Sequence, residues 1–427
     1  MGEGSPFLHS YTVGGERVFF HSLTLEICGS PAECPDPALE RELLRRYRRR
    51  ASEDRGVVMS TLFLTTACPR ECAYCFLADA GARDMTEAEI DRALQLTGPG
   101  PADLLLYGGE PLARLGLVSH TLERAKASGA ELNVLLATGG RAVDAGLAGE
   151  LASADAFIIV SMDGPPEVHN AQRPLRGGGD SFAGAEAAFA LLRKAGCRVG
   201  ISMTLTDSST EAALESFLWL MERFHPDDMG LNPWLHPLPG GGPNPYQVSG
   251  ERALAAVTAC MEEAIDRGMY VEQLARRTRP FANRSPRLKD CAVAGGRLVA
   301  VPGGRAGICD CRTACGGQYV SLEDEAALRS MMREALTLSP VFFPDCLGCP
   351  ALSICGGGCR YDARSASGDI RGRRPQRCAF ERGFLAWMIG RAVELGRDSL
   401  VPAGGFDSDA MPMPVGTMLG EDAGGGP

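Results

Sequence analysis

From about residue 58 to 270, short apolar runs alternate with longer amphipathic stretches, and this alternation limits what the chain can become. The runs are STLFLTT, DLLLYGG, LNVLLAT, AFIIVSMDG, RVGISMTL and MGLNPWL. Helix-type periodicity separates them. In TEAEIDRALQL, Thr86 and Glu89 form a capping-box pattern, and AGAEAAFALLRKAG ends on a glycine stop. Six strand–helix repeats predict an α/β fold with a parallel sheet and right-handed crossovers, either an open doubly wound sheet or a partial barrel. In both, functional side chains belong at the carboxyl ends of the strands.

The sixteen cysteines are the second constraint. Three lie within Cys68–Cys75 and nine within Cys291–Cys378, which leaves Cys28, Cys34, Cys197 and Cys260 outside the groups. Structural cysteines scatter, whereas ligands come in sets. Cys68, Cys72 and Cys75 follow the first strand as C-x3-C-x2-C, which suits three corners of a cubane iron–sulfur cluster with the fourth iron open. A zinc site would need a further ligand, and no histidine lies nearby.

This motif, with Tyr74 before its last cysteine, resembles that of the radical S-adenosylmethionine (AdoMet) enzymes. The second run ends in Gly108-Gly109-Glu110-Pro111, similar to the family's GGEP segment, which implies binding of the methionyl amino group. The fourth ends in Ser161-Met-Asp163-Gly164, followed by PPEVHNAQRPLRGGGDSF, similar to the family's SxDGxxxxHDxxRxxxG. The resemblance implies that Ser161 and Arg173 contact the carboxylate or ribose and that Asp163 orients the segment. Two departures stand out. Asn170 occupies the place of the usual Asp, and Thr138-Gly139-Gly140 stands where TNG is commoner. His169 reads as a satisfied surface or turn histidine.

Cys346-x2-Cys349-x5-Cys355-x3-Cys359, followed by Cys378 and preceded by Cys291-x12-Gly304-x4-Cys309, resembles the SPASM extension of that family. The resemblance implies a distal auxiliary cluster on Cys346, Cys349, Cys355 and Cys378, and a proximal one on Cys291, Cys309 and Cys359. Cys311 is the favoured fourth proximal ligand, Cys315 the alternative, and an open iron the third choice. With AdoMet this makes three four-iron clusters.

The rest of the sequence frames this core. In residues 1–57, SYTVGGERVFFHSLTLEI predicts a hairpin turning at Gly14-Gly15, and Asp36-Pro37 starts a helix whose RRYRRR run reads as a solvated face. The segment is a candidate for peptide binding. A core at 58–270 forms a partial (β/α)6 barrel of TIM type, a cysteine-rich domain spans 280–385 and is held by metal rather than by a large apolar core, and residues 400–427 read as a disordered tail. Net charge is −10, there is no long apolar span and no export-type start, so the chain reads as cytoplasmic with no nucleic-acid or membrane partner. The resemblance implies a maturase that crosslinks a ribosomally made precursor peptide and draws electrons from a flavodoxin or ferredoxin. Formylglycine formation of the sulfatase type and small-molecule dehydrogenation are the enzymatic alternatives. A non-catalytic iron–sulfur carrier or peptide scaffold would need neither GGEP nor the serine–aspartate segment.

Overall fold

Gly14 and Gly15 adopt φ of +59° and +85°, the left-handed pair that a two-residue hairpin turn requires. They join β1 (Leu8–Val13) to β2 (Glu16–His21), and β3 (Glu26–Cys28) completes a three-stranded antiparallel sheet. The structure, a computed structural model, describes residues 5–78, 80–140, 143–238, 243–310 and 319–400. The expected tail, apart from Leu400, lies outside them.

Asp36 caps the helix Pro37–Ala51, accepting from the Ala38 and Leu39 amides at 2.7 and 2.9 Å. Tyr47 is buried from this helix and donates to the Leu23 carbonyl at 2.8 Å, and Arg48 reaches the Val341 carbonyl at 2.9 Å. Arg45, Arg46 and Arg49 face solvent, as the run predicts.

The six expected strands are present. They are β4 (Met59–Thr65), β5 (Ala102–Gly108), β6 (Leu132–Thr138), β7 (Phe157–Ser161), β8 (Arg198–Thr204) and β9 (Met229–Asn232), all parallel and paired in chain order. A doubly wound sheet would reverse its strand order, so this is the partial barrel. One register row, Leu62–Leu106–Leu136–Ile158–Val199, is buried throughout and crosses five of the strands.

The sheet then continues beyond the expected six. β10 (Arg297–Val301) joins parallel to β4, and β11 (Arg305–Gly307) and β12 (Val320–Ser321) follow antiparallel, giving nine strands in all. Gly303 and Gly304, at φ +92° and +66°, make the turn between β10 and β11, which is the local reason for glycine in Cys291-x12-Gly304-x4-Cys309.

The cysteine-rich part also departs from expectation. Its helix Pro375–Leu395 carries Cys378, runs past 385, and buries Phe380, Phe384, Leu385, Met388 and Ile389 in the main core. It packs on Gly250–Asp266 so closely that a Cβ at Gly383 would lie 2.2 Å from Leu254. An apolar core therefore supports this region. Among the described residues no helix is long and apolar enough to cross a membrane.

At the mouth of the barrel, β5 ends against the chain leaving β4. The Gly109 amide donates to Thr65 O at 2.8 Å and the Glu110 amide to Ala67 O at 2.9 Å. Gly108 sits at φ +135°, and a Cβ there would lie 2.1 Å from Thr65 O. Gly108→Ala should therefore cost at least ~2 kcal/mol of stability through strain and overlap. Gly100→Ala, with nothing within 4 Å, should leave thermal unfolding unchanged in the same comparison.

Candidate active site

The loop after β4 carries Cys68, Cys72 and Cys75, all half-buried. A turn from the Cys75 amide to Cys72 O at 3.0 Å shapes it. A second segment clamps it from outside. The Arg176 amide donates to Pro69 O at 2.8 Å, the Arg176 guanidinium to Cys68 O at 3.1 Å, and the Glu71 amide to Pro174 O at 2.8 Å. The three thiols line a cavity of about 310 Å³ with Tyr74, Gly108, Gly109, Glu110, Thr138, Ser161 and Arg173. This is where a partial barrel should place its chemistry. Burial pushes the Cys72 thiol up to about 11 and raises Cys68 and Cys75 as well, so a cation must displace their protons before they act as thiolates.

Glu110 is 1% exposed and gathers donors from three elements. One oxygen accepts from Thr138 Oγ1 at 2.6 Å and the Leu112 amide at 3.1 Å, the other from the Gly139 amide at 2.8 Å and Arg70 Nη1 at 3.2 Å. Pro111 opens the short turn Pro111–Arg114 that supplies the Leu112 amide.

Asp163, fully buried, lies behind the cavity wall and orders it. It accepts from Arg173 Nε and Nη2 at 2.8 and 3.1 Å, from the Thr204 amide at 2.9 Å and from the Tyr74 hydroxyl at 3.0 Å. Arg173 also lies over the Tyr74 ring. Asn170 explains its departure from Asp. Its Oδ1 accepts from the Ser181 and Phe182 amides while its Nδ2 donates to Asp180 at 2.9 Å, a contact a second carboxylate would turn into repulsion. His169 is corrected: it is buried, not at the surface. Its Nδ1 accepts from the Asp163 amide at 3.4 Å, its ring meets Phe182 edge-on, and burial lowers its pKa to about 4.

The second cysteine group divides between two cavities. Cys346, Cys349, Cys355, Cys359 and Cys378 line one of about 370 Å³, and Cys291, Cys309 and Cys359 line one of about 270 Å³. Cys311 and Cys315 lie outside the described residues. Among the described residues no group of three or more His, Cys, Asp or Glu is set to hold a single metal ion. A four-iron cluster spreads its thiolates over separate irons, so a single-ion ligand group is not the pattern to look for there. Asn232, Trp234, Leu235 and His236 line both the smaller of these cavities and that of Cys68, Cys72 and Cys75.

Residues 62–220 match the model of the radical SAM superfamily. Over these residues the chain is similar to a radical SAM domain. The family implies a four-iron cluster and AdoMet. Native anSMEcpe, solved with bound AdoMet and Cp18Cys peptide, is 20% identical with a TM-score of 0.67, covering 80% of this chain and 99% of that one. Streptococcus suis SuiB, solved bound to precursor peptide SuiA, is 13% identical with a TM-score of 0.56, covering 88% and 100%. No curated protein matches the chain.

Several residues that shape the radical SAM domain carried no motif. Asn244 donates to the carbonyls of Tyr74 and His236 at 3.1 and 2.8 Å, tying the turn-rich loop to the cysteine loop. Its only signal is its place in GPNPY. Thr204 and Arg176 act through hydrogen bonds to residues distant in sequence that no spacing reveals, and Arg70 stands inside the cysteine motif itself. Asp163→Ala would strand the buried Arg173 charge and should cost ~3–5 kcal/mol in denaturant unfolding. Asp207→Ala, which breaks an exposed pair with Arg252, should cost less than ~1 kcal/mol in the same measurement.

Proposed function

We propose that the chain is a radical SAM enzyme with a SPASM-type extension that modifies a ribosomally made precursor peptide, forming a thioether or carbon–carbon crosslink after hydrogen abstraction. The observation that carries this is the shared wall at 232–236, which sets the radical SAM cavity against the cavity of Cys291, Cys309 and Cys359. A reaction that makes a substrate radical and then oxidises it needs both centres close to one substrate. Two of the similar structures hold peptides, which supports a peptide here.

In this proposal Cys68, Cys72 and Cys75 hold the first cluster. Bound there and reduced, it supplies the electron that cleaves AdoMet to a 5′-deoxyadenosyl radical. Glu110 and the Gly108–Pro111 backbone orient the methionyl amine, and Ser161 faces the ribose or carboxylate. Asp163 keeps Arg173 and Tyr74 fixed so that the cavity wall does not reorganise during reaction. Cys346, Cys349, Cys355 and Cys378 hold the distal cluster, and Cys291, Cys309 and Cys359 the proximal one, with Cys311, Cys315 or an open iron completing it. The proposal keeps the domain limits 1–57 and 58–270, carries the cysteine-rich part from 280 through the helix that ends at Leu395, and includes docking of a leader peptide along β1 or β3, the outer strands of the N-terminal sheet. A flavodoxin or ferredoxin is the proposed electron donor.

Anaerobically reconstituted protein should carry about twelve irons and release 5′-deoxyadenosine from AdoMet. Changing Cys68, Cys72 and Cys75 together to Ala should abolish that release and remove about four irons while sparing the auxiliary spectra. Nucleoside release that survives the triple change would reject the cluster assignment. Incubation with candidate precursor peptides should yield a product lighter by two hydrogens; an unchanged mass across them would point to a different substrate.

A further inference from the structure

After β7 and the short helix Pro166–Gln172, the chain returns across the outer side of the cysteine loop. Arg70 and Leu175 form an antiparallel bridge, flanked by the bonds from the Arg176 amide to Pro69 O and from the Glu71 amide to Pro174 O, each 2.8 Å. Gly177, Gly178 and Gly179 follow at φ +82°, +84° and +113°, a left-handed run that turns the chain back to Asp180, the cap of the helix Ser181–Lys194. This short ladder fixes one side chain against the loop. Arg176 Nε donates to the Cys68 carbonyl at 3.1 Å, and its Nη1 donates to Glu71 Oε1 at 3.0 Å.

Two other arginines stand near the three thiols, and each is matched by a buried carboxylate. Arg70 pairs with Glu110, and Arg173 holds Asp163 by two bonds. Arg176 differs from both. It and its partner Glu71 are each 54% exposed, so water weakens the hold of one charge on the other. Burial raises the Cys75 thiol, and against that burial the Leu77 amide, Arg173 and Arg176 each favour the thiolate. Arg176 therefore acts on the cysteine set without lining the cavity that the thiols share. A four-iron cluster gains one negative charge when it takes up an electron, and the charges and hydrogen bonds around it set its potential.

We propose that Arg176 and Glu71 set the reduction potential of the cluster on Cys68, Cys72 and Cys75: the guanidinium favours the reduced cluster, and the carboxylate moderates it. Both are positioning residues, acting through their charge and through the Cys68 carbonyl rather than by touching a ligand. The electron comes from an external one-electron donor, and the cluster takes it up with no bond made or broken in the protein. Arg173, in the cavity wall, lies three residues before Arg176, so one stretch of chain both completes the cavity and carries the tuning charge. The proposal rests on the assignment of the first cluster to these three cysteines.

The test is a potentiometric titration of the anaerobically reconstituted holoenzyme with dithionite and mediators, read by electron paramagnetic resonance of the reduced first cluster. Arg176→Gln should lower the ratio of reduced to oxidised cluster at a fixed potential roughly threefold to tenfold, the scale of one screened unit charge near a protein surface. A tenfold change is a shift of about 59 mV for a one-electron couple. Glu71→Gln, which leaves the guanidinium unopposed, should raise the same ratio, and Arg176→Lys should stay near the native value. Both shifts should shrink in about 1 M salt, where the Debye length falls to about 3 Å. A role confined to holding the loop predicts neither opposite signs nor salt dependence. Iron content reports whether each variant is loaded; if Arg176→Gln loses its cluster, the Glu71→Gln titration decides. Shifts of the same sign in the two variants, or none in either, would overturn the proposal. A native holoenzyme with no signal that disappears when Cys68, Cys72 and Cys75 are changed to Ala would instead overturn the cluster assignment.

Discussion

The buried Glu110 carboxylate is the interaction on which the mouth of the barrel depends. Taking a carboxylate out of water costs several kcal/mol unless donors surround it. Here the donors come from the cysteine loop, the turn after β5 and the end of β6, so satisfying one charge fixes three elements relative to each other. The arrangement is possible only because Gly108 and Gly109 let β5 approach the chain leaving β4. Cβ atoms at these positions would fall 2.1 and 2.4 Å from backbone oxygens. GGEP therefore has a structural reason that precedes any ligand: the glycines close the gap, and the glutamate fastens it.

What the sequence made legible follows from which interactions are local. The hairpin at Gly14-Gly15, the Asp36 cap and the capping box of Thr86 with Glu89 depend on neighbours a few residues away, and each formed as expected. The six parallel strands were legible for a related reason, since a strand buried on both faces must be continuously apolar. β10 was not. RLVAV has strand character, but its partner at Met59–Leu62 lies more than 200 residues earlier, and nothing within the segment names it. The helix Pro375–Leu395 was hidden by its cysteine, which drew attention to ligation while five large apolar side chains went to the core.

The candidate site divides along the same line. Its cysteines, GGEP and the serine–aspartate segment carry spacing and were found, whereas the residues that set their geometry act at a distance. His169 and Arg70 show why. A histidine or arginine is exposed by default, and both are buried here because one partner each, the Asp163 amide and the Glu110 carboxylate, lies far from them in sequence or is reached only by folding. Asn170 is the converse case. Its difference from Asp looked like the loss of a role, yet Asp180 beside it makes the amide the better residue for capping the helix Ser181–Lys194.

The two cavities of the second cysteine group pose a charge problem that the described residues nearly answer. Eight arginines line them, at 276, 277, 297, 360, 373, 374, 377 and 382, against five carboxylates at 290, 310, 345, 362 and 381. Arg277 pairs with Glu381 at 3.0 Å, Arg377 with Asp290 at 2.7 Å and Arg297 with Asp310 at 3.1 Å. Buried pairs of this kind rarely add stability over an apolar core, so their retention asks for another reason. Arg360 supplies one. It is buried, bonds to backbone carbonyls and to the face of Phe343 rather than to a carboxylate, and lines a cavity with Cys346, Cys355 and Cys359. An excess of three cations over carboxylates is unfavourable around neutral thiols and favourable around thiolates held by iron. Under the proposed function, the arginines around these cavities would balance a cysteine set that becomes charged when it holds iron.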